Sequence, residues 1–182
     1  ADIIKDTVIL VRQFIDWTET RKEICRNKIG IVGFSIGLTF ASNVMSVDSR
    51  VSAGAFVIGG GGLHDMFAFG NADEISKMRK QILDRLQWTQ EKLARFIKPF
   101  FDEVSPETYA GNINPERVLY INSAYDDYIP QEAIERLWVA LGRPERIQLP
   151  FGHKTSFIFS VTPLGLDYVN LAIDSFFEKK LR

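Results

Sequence analysis

Apolar residues recur at helical spacing at the start of the chain, where Ile4, Val8, Val11 and Ile15 fall on one stripe of a helix expected over residues 2–23. The run KIGIVGF at 28–34 breaks that rhythm. It is short, rich in β-branched residues and bounded by glycine, so it reads as a buried strand. A helix over about 36–46 should follow, and then AGAFVIGG at 53–60, whose lack of polar alternation predicts a strand buried on both faces of a parallel sheet. From Asn71 to about Phe101 the period is helical again, with Ile75, Met78, Ile82, Leu86, Leu93 and Ile97 on one stripe and Asn71 with Glu74 as a capping pair. This stretch, 71–102, reads as a helical insertion: a packed layer, or a cap over a cleft. RVLYINSAYDD at 117–127 restores the β-rhythm. A helix opened by Pro130 and closed by Gly142, a short strand in RIQLP at 146–150, and a final helix after Thr162 and Pro163 complete the series.

Strands separated by helices, with no internal repeat and no low-complexity linker, predict one α/β domain across residues 1–182, built on a mainly parallel, doubly wound sheet. Length and composition agree: 182 residues, 46% of them apolar, suffice for a single core. The charges are balanced, 22 basic against 23 acidic, and spread evenly, so no polyanion-binding face is marked and nucleic acid is not an expected partner. Cys25 is the only cysteine, no Asn-x-Ser/Thr acceptor occurs, and no stretch approaches the roughly 18 uncharged apolar residues of a membrane span. A cytoplasmic location is the expectation. The run IGGGGLHD lacks the Gly-x-Gly-x-x-Gly spacing, so no dinucleotide is expected there.

Candidate chemistry begins at Gly33-Phe34-Ser35-Ile36-Gly37, a Gly-x-Ser-x-Gly pentad between an expected strand and an expected helix. In that context the turn pushes Ser35 outward at the carboxyl end of the sheet, where a hydroxyl can reach a substrate carbonyl. A serine hydroxyl needs a base, and only His64 and His153 exist. His153, in QLPFGHKTSF after the last short strand, should open on the same edge as Ser35. His64, in GGGGLHDMF, is expected to contact substrate or lie exposed. An acceptor for the base is offered by Asp126 or Asp127 in LYINSAYDDYIP, of which only one can face the histidine.

The order Ser35, Asp126 or Asp127, His153, each at a strand end, resembles the α/β-hydrolase superfamily, and the resemblance covers nearly the whole chain. The acid of that family often stands in a Gly-x-x-Asp-x-x-Val-Pro loop. SAYDDYIP matches it with Asp126 as the acid, Ser123 replacing the glycine and Ile129 the valine; Asp127 is the alternative. Gly152-His153 matches the family's histidine loop. The resemblance implies a serine hydrolase that cleaves carboxylic esters or thioesters through an acyl-enzyme, with no metal and no cofactor. Ser35 would attack, His153 would carry the proton, Asp126 would orient His153, and the Ile36 N–H would donate to the oxyanion. Trp88, Phe96 and Phe100 would shape an acyl pocket, with Phe34 and His64 as further pocket candidates. A peptidase or lactonase on the same scaffold, or a catalytically weak fragment serving as an interaction module, are the alternatives.

In that family several strands precede the nucleophile strand, and a loop among them supplies a second oxyanion donor. Here 34 residues precede Ser35. The resemblance therefore implies the carboxyl-terminal part of such a domain. Strand 29–33 would pair with a polypeptide outside these 182 residues or across a homo-oligomer, and turnover would suffer from the incomplete oxyanion hole.

Overall fold

The computed structural model describes residues 1–161 and 166–182. Four strands, β1 (Ile29–Phe34), β2 (Val51–Val57), β3 (Val118–Ser123) and β4 (Glu145–Leu149), form one sheet in the order β1-β2-β3-β4 with every pair parallel. Every connection is therefore a crossover that passes over a face of the sheet. α1 (Asp2–Thr18), α2 (Ile36–Val47) and α7 (Gln131–Ala140) cover one face, where Ile15, Leu38, Val44 and Leu137 pack against Phe56 and Tyr120. α9 (Leu166–Lys180) covers the other, with Val169, Ile173 and Phe176 against Ala53, Ala55, Leu119 and Ile121. The doubly wound α/β sheet expected from the sequence is the observed one.

Strand β3 is buried throughout and β2 nearly so, which is why neither shows polar alternation. β1 has the apolar composition of a buried strand but is an edge of the sheet among the described residues, as expected of a strand that lacks its neighbour, and Val32 on it is 41% exposed. The register slips by one between Ile29 and Gly30, where Ile29 pairs with Val51 and Gly30 with Ala53. Ser52 is thus the extra residue of a bulge. The bulge turns Val51 to the α1/α2 face while Ala53 faces α9.

The segment between β2 and β3 differs from the single long helix that its apolar stripe suggested. It holds α3 (Leu63–Phe69), α4 (Asp73–Leu86), α5 (Gln90–Asp102) and a one-turn α6 (Pro106–Tyr109). The stripe is interrupted because Gln87 turns left-handed at φ 52°, and Thr89 restarts the helix by accepting from the Lys92 N–H at 3.2 Å. Asn71 and Glu74 do not form the expected capping pair: the cap is Ala72, without a side-chain bond. On α4 the one buried residue is Arg79, whose Nη1 donates to the carbonyls of Phe67 at 3.0 Å and Gly70 at 2.7 Å. A buried cation bonded to the end of α3, more than apolar burial, fastens α4. Thr162 and Pro163, expected to open the last helix, lie outside the described residues. The chain before them is already helical in α8 (His153–Val161). No described helix is long and apolar enough to cross a membrane.

α1 is tied to the α2–β2 turn by charge. Asp48 accepts from Arg50 Nη2 at 2.6 Å and Nε at 2.8 Å and from Arg12 Nε of α1 at 3.2 Å, and Arg50 also reaches Asp16 of α1 at 2.7 Å. The Arg50 guanidinium holds the Asp48 carboxyl down at about 2, below its ordinary 3.8. A carboxyl depressed in the fold stabilises it above the unfolded value of 3.8, and that contribution is lost as the pH falls through about 2. Asp48→Asn is therefore expected to lower stability near neutral pH, with the gap to the parent closing as the pH falls from about 4 towards 2. Urea midpoints measured across that range check it, and a gap independent of pH would refute the ion-pair account.

Candidate active site

Ser35 stands between the last residue of β1 and the first of α2 in a backbone conformation, φ 50° and ψ −120°, that L-residues rarely adopt. Two features hold it there. The Ser35 N–H donates to the Val57 carbonyl at 2.9 Å, which extends the β1–β2 ladder by one residue. Gly33 lets the strand lie against the helix it feeds, since a Cβ there would run into the backbone of Gly37 and Leu38. The second glycine of the pentad is different: a Cβ on Gly37 would meet nothing within 4 Å. The close approach is met by Gly33 alone.

The same stepping repeats along the carboxyl edge. Ile58 N–H donates to the Ile121 carbonyl at 2.7 Å, Ala124 N–H to Leu149 at 2.8 Å and Tyr125 N–H to Phe151 at 3.2 Å. Ser123 Oγ adds a buried bond to Ser156 Oγ of α8 at 2.7 Å. These bonds carry the loop after β3 alongside the loop after β4, so the aspartates at 126 and 127 arrive beside His153.

The structure brings three of the expected residues into one chain of hydrogen bonds. Ser35 Oγ lies 3.1 Å from His153 Nε2, and His153 Nδ1 lies 2.8 Å from Asp126 Oδ2. The Asp126 side chain is fully buried, and its other oxygen, Oδ1, accepts from the N–H groups of Tyr128 at 3.0 Å and Ile129 at 2.9 Å. A carboxylate acceptor on Nδ1 leaves Nε2 free to accept the serine proton. Asp127 points elsewhere: its Oδ1 faces the His153 backbone N–H at 3.4 Å, at the start of α8. The two adjacent carboxylates thus separate into one that meets the imidazole and one that meets the backbone.

A cavity of about 240 Å³ opens beside Ser35 and His153. Ile36, Gly59 and Gly60 line it near the serine, while Leu63, Met66 and Phe67 of α3, Ala72 and Ile75 at the start of α4, and Phe101 of α5 form apolar walls. Ile36 is the first residue of α2, whose opening N–H groups have no acceptor within the helix.

Several expected pocket residues are not there. Phe34 points to the opposite face of the sheet and packs with the α9 cluster, because alternate strand residues face opposite ways and Ile31 and Gly33 take the α2 side. His64 is buried on α3 outside the cavity, with Nε2 3.2 Å from Asp65 and Nδ1 3.8 Å from Asp102 of α5. It lies between α3 and α5 and is neither exposed nor in contact with the cavity. Trp88, Phe96 and Phe100 pack on one another, with centroids 5.2 Å and 5.9 Å apart, and the two phenylalanines are more than half exposed. All three lie outside the cavity, beyond the break at Gln87 that makes α5 a separate helix from α4.

Sequence reasoning missed Tyr128. Its ring stacks on the His153 imidazole at 5.0 Å and 20°, and Lys154 Nζ, ion-paired with Asp73 at 3.0 Å, lies over it at 5.2 Å. The signal was present, since Tyr128 lies two residues after Asp126, but nothing in a linear pattern shows which ring will cover an imidazole.

No family model matches the sequence, and no curated protein matches it. Solved structures do. A Pyrococcus furiosus esterase matches over 96% of this chain with a TM-score of 0.66 at 14% identity. An acetyl xylan esterase from Paenibacillus sp. R4 matches over 98% with a TM-score of 0.71 at 19% identity, and a Pyrococcus horikoshii acylaminoacyl peptidase over 94% with 0.63 at 18%. These are members of the α/β-hydrolase superfamily. The chain has the α/β-hydrolase fold. It spans 62% of the first of these proteins, 52% of the second and 26% of the third, so it corresponds to part of each.

Within this α/β-hydrolase fold the approach of β1 to α2 carries the site. Gly33→Ala should cost about 1–3 kcal/mol or more, because the methyl meets backbone that cannot rotate aside. Gly37→Ala should cost far less. Chemical denaturation of the two variants measures both, and equal losses would refute the close-approach account.

Proposed function

We propose that the chain is the serine-bearing part of a hydrolase acting on carboxylic esters or thioesters. The observation that carries the reading is the bond series from Ser35 Oγ through His153 to the buried Asp126, beside an apolar cavity. The esterases among similar structures support it. Ser35 Oγ attacks the carbonyl carbon while its proton passes to His153 Nε2, and Asp126 stabilises the imidazolium. The Ile36 N–H donates to the oxygen that gains the electron pair. Collapse expels the alkoxide or thiolate, which takes the proton from His153 and leaves an acyl-Ser35. Water then repeats the sequence, giving up a proton to His153 and releasing the acid. All steps balance with water as the only co-reactant, so neither metal nor cofactor is required.

A fluorophosphonate probe should label the protein once, at Ser35, and Ser35→Ala should abolish labelling; labelling that survives would sink the mechanism. His153→Ala should slow labelling by several orders of magnitude. Asp126→Asn should cost roughly 10⁴-fold, as expected for a lost orienting acid. Asp127→Asn should cost much less, and equal small losses would remove Asp126 from the role. An acylaminoacyl peptidase among the similar structures keeps peptide cleavage as the second reading. Comparing p-nitrophenyl esters with aminoacyl amides separates the two.

The outer edge of β1 has no strand partner among the described residues, and half-exposed Val32 lies on it. Both features support pairing of β1 with another strand, of a longer polypeptide or of a second copy. If the partner strand brings a second oxyanion donor, turnover should rise with pairing and the unpaired chain should be a feeble catalyst, since one such donor is typically worth ~10² to 10³ in rate. Light scattering after size exclusion, run beside an esterase assay, tests this: a 20.7 kDa monomer with vigorous turnover would refute it.

A further inference from the structure

We propose that the cavity beside Ser35 is an acyl pocket for uncharged acyl groups of about six to eight carbons, straight or ending in a phenyl ring, and that Ala72, the cap of α4, and Ile75 in its first turn limit their length. The proposal rests on the serine-hydrolase reading above. Size is the first argument. An apolar cavity of about 150 Å³ accommodates benzene, so a cavity of about 240 Å³ has room for a longer chain, with the reacting carbonyl at the Ser35 end. An acetyl group would leave most of that space without contacts. Chemistry is the second. Apart from His153, no ionisable side chain but the Tyr128 phenol lines the cavity, while α3, α4 and α5 present Leu63, Met66, Phe67, Ala72, Ile75 and Phe101. A carboxylate or ammonium on the acyl chain would be stripped of water there without a partner.

Position is the third. The walls come from the segment between β2 and β3, and α4 is fastened by Arg79 to the carbonyls that end α3. The Lys154–Asp73 pair adds a link from the first residue of α4 to the residue after His153. Ala72 and Ile75 stand on either side of Asp73 in sequence and line the same cavity as His153. Because the acyl group stays on Ser35 after the alcohol has left, an apolar recess beside the serine suits the acyl side.

The test uses the 182-residue chain with p-nitrophenyl alkylphosphonates that share an ethoxy group and differ in the alkyl on phosphorus. Ser35 Oγ forms the P–O bond, p-nitrophenolate leaves, and the serine proton passes to His153. One equivalent of p-nitrophenolate reports the rate without deacylation. Each buried methylene is worth about fourfold, so the rate should climb at least about 50-fold from methyl to hexyl and fall off by dodecyl. Ala72→Phe and, independently, Ile75→Trp should lower the hexyl-to-methyl ratio at least about tenfold each, and Ile75→Ala should move the optimum to longer chains; circular dichroism shows which variants fold. Equal rates for methyl and hexyl with Ser35 modified would overturn the acyl pocket while leaving the hydrolase reading intact. A dependence on the alkoxy length in place of the alkyl length would overturn the assignment to the acyl side. Failure of every reagent to modify Ser35 would overturn the hydrolase reading, and the pocket with it.

Discussion

Parallel pairing of four strands in chain order is the constraint on which everything else rests. It puts the carboxyl ends of β1, β3 and β4 on one edge, and backbone bonds just beyond β1, β2 and β3 carry the following loops outward in step. Ser35, Asp126 and His153 are separated by as many as 118 positions in sequence, yet each follows a strand end by only a few residues. The sheet converts that separation into hydrogen-bond contact. The bonds from Ala124 to Leu149 and from Tyr125 to Phe151 matter most, because they join the acid loop to the loop before the histidine.

Two of the four non-glycine residues with positive φ among the described residues lie at this edge. Ser35 and Ile58, the residues just after β1 and β2, both have positive φ, and both have N–H groups bonded to the next strand. For a β-branched residue such as Ile58 this is an uncommon conformation. Backbone bonds to buried strands hold it, and the residues that follow the two turns, Ile36 after Ser35 and Gly59 and Gly60 after Ile58, line the cavity.

The helices between β2 and β3 use a different mode of attachment. Their contacts combine a small apolar cluster of Ile4, Leu63 and Val104 with the buried guanidinium of Arg79, so part of the cavity wall is held by polar bonds. Asp48 performs a related service on the opposite flank by tying α1, which supplies Ile4 to the cavity, to the turn before β2. The site is thus built on a rigid sheet edge and roofed by elements fastened individually to it.

The sequence by itself determined the α/β class, the parallel sheet, the position of the serine turn and the two candidate acids, because these follow from local periodicity, glycine spacing and chain order. The burial of β2 and β3 was legible in their unbroken apolar runs. Only the tertiary structure decided the rest. Asp126 and Asp127 are adjacent and chemically alike, and the choice between them depends on which one the β3–β4 ladder turns toward the imidazole. Trp88, Phe96 and Phe100, expected at the pocket, lie outside it, beyond a single left-handed residue at Gln87 that separates α5 from α4 with no glycine to announce it. Phe34 and His64 lie close to the site along the chain but are turned from the cavity by strand alternation and by the packing of α3 on α5. Periodicity records which residues are apolar and at what interval; which element each one faces is settled by contacts between segments far apart in the chain.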